Sequence, residues 1–160
     1  MKNVVILGST GSIGKSTIEV IEANKDDFFI AGLVAKSNEK LLTEQAEKYN
    51  VKNVCLTDQT SKNEKFISES KMEDLIVGDQ VDIVVAAISG VVGLKTILKA
   101  VKAGKRVLIA NKEPLVAAGE ILMREAEKYN SEIIPIDSEH CAIHQCPQNI
   151  DKKDLSKVCL

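Results

Sequence analysis

The chain has 160 residues, 44% of them hydrophobic, 28% charged and 3% aromatic, which fits one soluble domain that can hold its own core without a metal or disulfide. Lys plus Arg total 21 against 23 Asp plus Glu, a net charge of -2, so the basic excess on which nucleic-acid binding draws is missing. A multi-domain machine and a nucleic-acid-binding protein are excluded on these grounds.

The first element is a strand over Val4–Leu7, an apolar run too short for a signal-peptide core or a membrane span. It runs into Gly8-Ser9-Thr10-Gly11-Ser12-Ile13-Gly14, with a helix over Ser12–Asn24. Glycines placed between strand and helix let backbone N–H groups approach an anionic pyrophosphate at the helix N-terminus. The spacing is GxxGxxG instead of GxGxxG, and a tight turn can demand glycine on steric grounds alone, so both readings stand at this point. The run Gly14-Lys15-Ser16 imitates a triphosphate P-loop, but that pattern needs a glycine where this chain has Ser9. Asp82 also opens the fourth strand, whereas a magnesium-holding acid of that class belongs at a strand's carboxyl end. A kinase or GTPase is set aside.

The second strand, Phe29–Ala35, ends in Lys36-Ser37-Asn38. A NAD-specific site puts an acid there for the ribose 2′-OH; a cation, a hydroxyl and an amide suit a 2′-phosphate better. The alternative is ordinary loop chemistry, with Asn38 capping the next helix, Asn38–Tyr49. A third strand at Asn53–Thr57 and a helix at Ser61–Glu73 follow. The fourth and fifth strands, Asp82–Ile88 and Arg106–Ala110, are apolar almost throughout, as strands covered on both faces are. Helices at Val91–Ala103 and Leu115–Tyr129 and a strand at Ile133–Ile136 complete the pattern. Six strands with right-handed helical crossovers predict an α/β, Rossmann-like doubly wound parallel sheet with helices on both faces.

Three polar clusters fall at strand ends: Ser89-Gly90, Asn111-Lys112-Glu113 and Asp137-Ser138-Glu139-His140. Each alone reads equally well as helix capping, but their convergence on the edge where open parallel sheets bind ligands favours function. Asp137 and Glu139 offer hard oxygen ligands suited to Mg²⁺ or Mn²⁺ shared with substrate oxygens, although two ligands leave such a site incomplete. His140, Cys141, His144 and Cys146 invite a zinc reading, against which stand the missing Cys-x2-Cys pair and the strain of four ligands in seven residues. The bland reading of that segment is a helix turn with His144 partly buried. Cys55, Cys141, Cys146 and Cys159 do not resemble a secreted disulfide framework, and a cytoplasmic location is expected. After Cys146 the chain turns polar, as an exit linker, and Leu155–Leu160 alternates like the start of a strand. The expectation is a domain over 1–146 and, over 147–160, a linker and the start of a further domain cut short.

Taken together, Gly8–Gly14, Ala110-Asn111-Lys112-Glu113 and Pro135-Ile136-Asp137-Ser138-Glu139-His140 resemble the N-terminal part of the 1-deoxy-D-xylulose 5-phosphate reductoisomerase family. The resemblance extends over essentially all 160 residues, including Ala86-Ala87-Ile88-Ser89-Gly90; the family's polypeptide is longer. It implies a homodimeric enzyme dependent on NADPH and on Mg²⁺ or Mn²⁺, acting on a sugar phosphate in non-mevalonate isoprenoid synthesis. It further implies Thr10, Gly11, Ser12 and Ile13 on the cofactor phosphates, Lys36, Ser37 and Asn38 at the 2′-phosphate, and Asn111 and Glu113 beside the nicotinamide. Lys112 and Ser138 would meet substrate, and Asp137 and Glu139 the metal, so that Lys112, Ser138 and Glu139 form the catalytic set. The basic residue Lys36 sits one place earlier than in the family's usual Gly-Lys-Asn or Gly-Arg-Asn, and Pro114, Cys141, His144 and Pro147 also depart from the usual pattern. A stand-alone, non-catalytic nucleotide-binding module is the alternative.

Overall fold

Residues 1–58, 63–90 and 93–146 and Lys157 are described by a computed structural model of the chain. In chain order the elements are β1 (Lys2–Leu7), α1 (Ser12–Ala23), β2 (Phe28–Ala35), α2 (Glu39–Lys48), β3 (Val54–Leu56), α3 (Glu69–Val77), β4 (Ile83–Ala86), α4 (Leu94–Lys102), β5 (Arg106–Ile109), α5 (Glu113–Tyr129), β6 (Glu132–Pro135) and α6 (Ser138–Gln145). The strands form one six-stranded sheet in the order β3-β2-β1-β4-β5-β6, with every pair parallel. This is the doubly wound order, and it reverses between β1 and β4, where ligands bind in such sheets.

The period of two along each strand divides the core into two layers. Val5 and Leu7 of β1, with Val84, Ala86, Val107 and Ile109, face Met72, Ile76, Ile97, Val101 and Leu122 of α3, α4 and α5. Val4 and Ile6, with Leu33, Val54 and Val85, face Ile18, Ile21 and Leu42 of α1 and α2. Both faces are therefore covered, which is why the central strands carry no polar alternation.

The structure departs from the sequence-based expectation in three places. The third helix is not at Ser61–Glu73 but at Glu69–Val77; residues 61 and 62 lie outside the described part. Phe66 and Ile67 pack against the two core layers and the Ile67 N–H donates to the Val54 carbonyl at 2.8 Å, which holds the segment along β3. The helix starts only after Ser68, whose hydroxyl accepts from the Lys71 N–H. The fourth strand is Ile83–Ala86, shorter than Asp82–Ile88 at both ends; Asp82, just before it, serves as an anchor, its carboxylate accepting from Lys2 Nζ and from the Asn3 N–H, each at 2.8 Å. Lys2 first, then Asn3, hold that carboxyl below the usual aspartate range. Finally, the segment after Asp137 is a full helix, α6, and His144 in it is exposed instead of partly buried. The expected linker falls, apart from Lys157, outside the described residues.

Candidate functional site at the carboxyl edge of the sheet

The ends of β1, β2, β3 and β4 open into a cleft of about 690 Å³, walled on one side by Glu69, Met72, Glu73 and Ile76 of α3. That volume falls in the ordinary range for a cofactor or small-molecule site.

The glycine turn lies at its head. Gly8 has φ +85°, and a Cβ there would stand 2.3 Å from the Ala87 carbonyl oxygen, so the crossing of the β1 and β4 ends demands glycine. A Cβ on Gly14 would stand 2.3 Å from the Gly8 carbonyl oxygen and 2.6 Å from Ser9 Cα, so α1 seats directly on the turn. Gly11 is different: its Cβ would meet only the Gly8 oxygen, at 3.4 Å. It caps α1 without any side-chain hydrogen bond, lines the cleft with Thr10, and leaves Ser12 and Ile13 exposed behind it. The first N–H groups of a helix have no intrahelical acceptor, and among the described residues no side chain caps them here, an arrangement suited to an anion.

At the end of β2, Lys36 is exposed and lines the cleft, with no ion pair among the described residues. Ser37 and Asn38 do not line it. Asn38 instead accepts from the Leu41 N–H at 3.2 Å and caps α2, the structural role that its sequence left open. The Asp58 N–H donates to the Lys36 carbonyl at 2.8 Å, which brings Asp58, at the end of β3, into the same cleft. Cys55 lies in the cleft floor, where burial first and the Glu69 charge second push its thiol up to about 11. Glu73 is paired with Lys99 and, at 3.7 Å, with Lys95; these lysines, Lys99 foremost, hold its carboxyl low and brace α3 against α4.

A second group lies over β5 and β6. Asn111 Nδ2 donates to the Gly90 carbonyl at 3.2 Å, which ties it to the turn whose Ser89 lines the cleft, while its Oδ1 is buried without a partner among the described residues. Lys112 and Glu113 are exposed where α5 begins. Pro114, in the first helical turn, fits because no intrahelical N–H bond is lost there. Asp137 caps α6: its Oδ2 accepts from the His140 N–H at 3.2 Å and meets His140 Nδ1 at 2.7 Å. Burial raises this carboxyl, but the His140 hydrogen bonds outweigh it and leave it below the usual range. Its Oδ1 is buried with no hydrogen-bond partner among the described residues. Ser138 and Glu139 are exposed in the first turn of α6.

Among the described residues no three His, Cys, Asp or Glu side chains are gathered as a metal ion would need. The zinc reading is not supported: His140 is engaged by Asp137, and Cys141 Sγ accepts from Gln145 Nε2 at 2.9 Å. Asp137 and Glu139, the two carboxylates at the start of α6, are of the hard-oxygen type that suits magnesium or manganese. Sequence reasoning missed Asp58, Met72 and Glu73 in the cleft and Gln45 beside the glycine turn; only Asp58, directly after the third strand, carried a local signal.

The sequence model for 1-deoxy-D-xylulose 5-phosphate reductoisomerase matches residues 4–119. The reductoisomerase of Ruthia magnifica subsp. Calyptogena magnifica is 42% identical over 168 aligned residues, covering 99% of this chain and 44% of that protein. A crystal structure of DOX-P reductoisomerase in complex with magnesium superposes with a TM-score of 0.85 at 35% identity, over 91% of this chain and 40% of that one. Another, in complex with NADPH, fosmidomycin and magnesium, gives 0.81 at 36% identity, over 91% and 39%. The chain thus spans less than half the length of the relatives it matches. It belongs to the 1-deoxy-D-xylulose 5-phosphate reductoisomerase family.

Proposed function

We propose that this chain is the NADPH-binding part, over 1–146, of a reductoisomerase that converts 1-deoxy-D-xylulose 5-phosphate to 2-C-methyl-D-erythritol 4-phosphate, a step of non-mevalonate isoprenoid synthesis. The observation that carries it is the uncovered first turn of α1, at a cleft where β2 ends in Lys36 instead of an acid. In this reading the backbone of Thr10, Gly11, Ser12 and Ile13 binds the pyrophosphate. Lys36 pairs with the 2′-phosphate, with Ser37 and Asn38 flanking it. Asn111 and Glu113 border the nicotinamide, Asn111 fixed by its bond to Gly90.

Lys112, uncompensated by any ion pair among the described residues, and Ser138 meet the substrate. Asp137 and Glu139 hold Mg²⁺ or Mn²⁺ together with substrate oxygens, His140 fixing the Asp137 side chain. Bound NADPH supplies hydride, and the cation polarises substrate oxygens. The full-length enzyme is a cytoplasmic homodimer in this proposal, with 147–160 leading to the catalytic domain. Among the described residues no helix is long and apolar enough to cross a membrane.

The test is to follow NADPH absorbance with substrate and Mn²⁺, for the chain alone and with the remainder of a family member's polypeptide added. The chain alone binds NADPH without turnover, because positioning and closure supply much of the barrier lowering, and the added part restores oxidation. Turnover by the chain alone would refute the assignment of these residues to a cofactor-binding part. Failure to bind NADPH would refute the function.

A further inference from the structure

Helix α2 buries two side chains, Leu42 and Gln45. The leucine belongs to the core layer beneath it; the glutamine, 7% exposed, is costly there unless its hydrogen bonds with water are replaced. Gln45 Nε2 donates to the carbonyl of Ser9 at 2.9 Å, reaching from α2 into the middle of the glycine turn. Ser9 is itself fully buried. Its N–H and that of Gly8 both donate to the Val34 carbonyl, at 2.9 and 2.8 Å, so the turn is fastened to β2 on one side and to α2 on the other. The Ser9 hydroxyl and Gln45 Oε1 have no partner among the described residues, where the amide-to-carbonyl bond is the tie that sets the turn's orientation toward α2.

The peptide unit is planar and trans, so the Ser9 carbonyl and the Thr10 N–H point in opposite directions. Fixing the carbonyl toward α2 therefore fixes the Thr10 N–H away from α2. Thr10 lines the cleft, and its N–H has no backbone acceptor among the described residues. We propose that Gln45 is a positioning residue for cofactor binding: it pins the Ser9–Thr10 peptide so that the Thr10 N–H is held ready for a pyrophosphate oxygen. This rests on the NADPH reading above. An apolar side chain at position 45 would strand a buried carbonyl, and the peptide could relieve that only by rotating, which carries the N–H with it.

Gln45→Met keeps side-chain length and removes the donor. In calorimetric titrations of the 160-residue chain, the variant binds NADPH about tenfold more weakly, the loss of one oriented hydrogen bond to a charged group. Adenosine 2′-monophosphate, which has no pyrophosphate, binds both proteins equally. A merely structural role would weaken both ligands together, because α2 begins directly after Lys36, Ser37 and Asn38. Unchanged NADPH affinity in a folded variant, or equal losses for the two ligands, overturns the proposal. A measurement on the unaltered chain avoids any folding defect: NADPH shifts the Thr10 amide resonance, and an unmoved Thr10 amide in a chain saturated with NADPH overturns the inference while leaving the cofactor reading intact. If the unaltered chain binds no NADPH, both fall.

Discussion

Gly14→Ala separates packing from helix propensity with opposite signs. Alanine in a helix is favoured over glycine by up to about 1 kcal/mol, so on propensity alone the variant would be more stable. The structure predicts the reverse. The added Cβ would lie 2.6 Å from Ser9 Cα and 2.3 Å from the Gly8 oxygen, against ~3.5–4.0 Å for carbons at their optimum, an overlap of about 1 Å. Both contacts are backbone, so no rotamer change removes them and α1 must back away from the turn. Overpacking of this kind costs about 1–3 kcal/mol or more. With backbone on both sides the cost falls at the upper end, about 3 kcal/mol, so net of about 1 kcal/mol of propensity the loss is about 2 kcal/mol, a fall of roughly 4–8 °C in melting temperature for a chain of this length, with weaker NADPH binding because the α1 N-terminus has moved. Gly11→Ala is the control: its Cβ meets the Gly8 oxygen at 3.4 Å and intrudes on the cleft, so melting stays within about 0.5 kcal/mol of the wild type while NADPH binding falls. Calorimetric melting with NADPH titration reads both. A Gly14→Ala protein as stable as the parent would refute the seating of α1 on the turn.

Three further outcomes follow from the geometry. The Asp82 carboxyl is held low by Lys2 and the Asn3 N–H, so its stabilisation is present above the unfolded value near 3.9 and is lost as pH falls through the lower folded value. Asp82→Asn therefore lowers urea stability by about 1 kcal/mol at neutral pH, and the gap to wild type closes below about pH 4. Cys55, with its thiol pushed up to about 11 and 1% exposed, resists iodoacetamide at pH 8 in the native chain, whereas exposed Cys146 is alkylated; peptide mass mapping distinguishes them. Lys36→Asp shifts cofactor preference from NADPH toward NADH in paired titrations, because the acid repels a 2′-phosphate and accepts from a 2′-hydroxyl.

The parts of the fold that showed in the sequence are those where local pattern and tertiary environment agree. Apolar runs such as Ile83–Ala86 mark strands buried on both faces, and Gly8 and Gly14 mark a turn that contacts leave no room to alter. For helix α3 the local sequence offers two acceptable caps, Ser61 and Ser68. The choice between them is made by Phe66 and Ile67 packing against the core and β3, contacts that are distant in sequence. Helix α6 was read as a turn because it buries no residue and so lacks an amphipathic period; the Asp137 cap was its one local sign. In the site, glycine spacing and strand-end polar residues were readable. The double use of Asp137, one oxygen capping α6 and the other unpartnered, and the burial of Gln45 against the glycine turn required three dimensions.

All of the roles proposed for this cleft depend on its binding a dinucleotide that bears a 2′-phosphate. Isothermal titration of the 160-residue chain with NADPH and, separately, with NADH at the same salt concentration tests it most directly. One-to-one NADPH binding, clearly tighter than NADH and weakening as salt rises because Lys36 meets a charged group, is the result the structure predicts. NADH binding equal to or tighter than NADPH, or no heat with either, would contradict it.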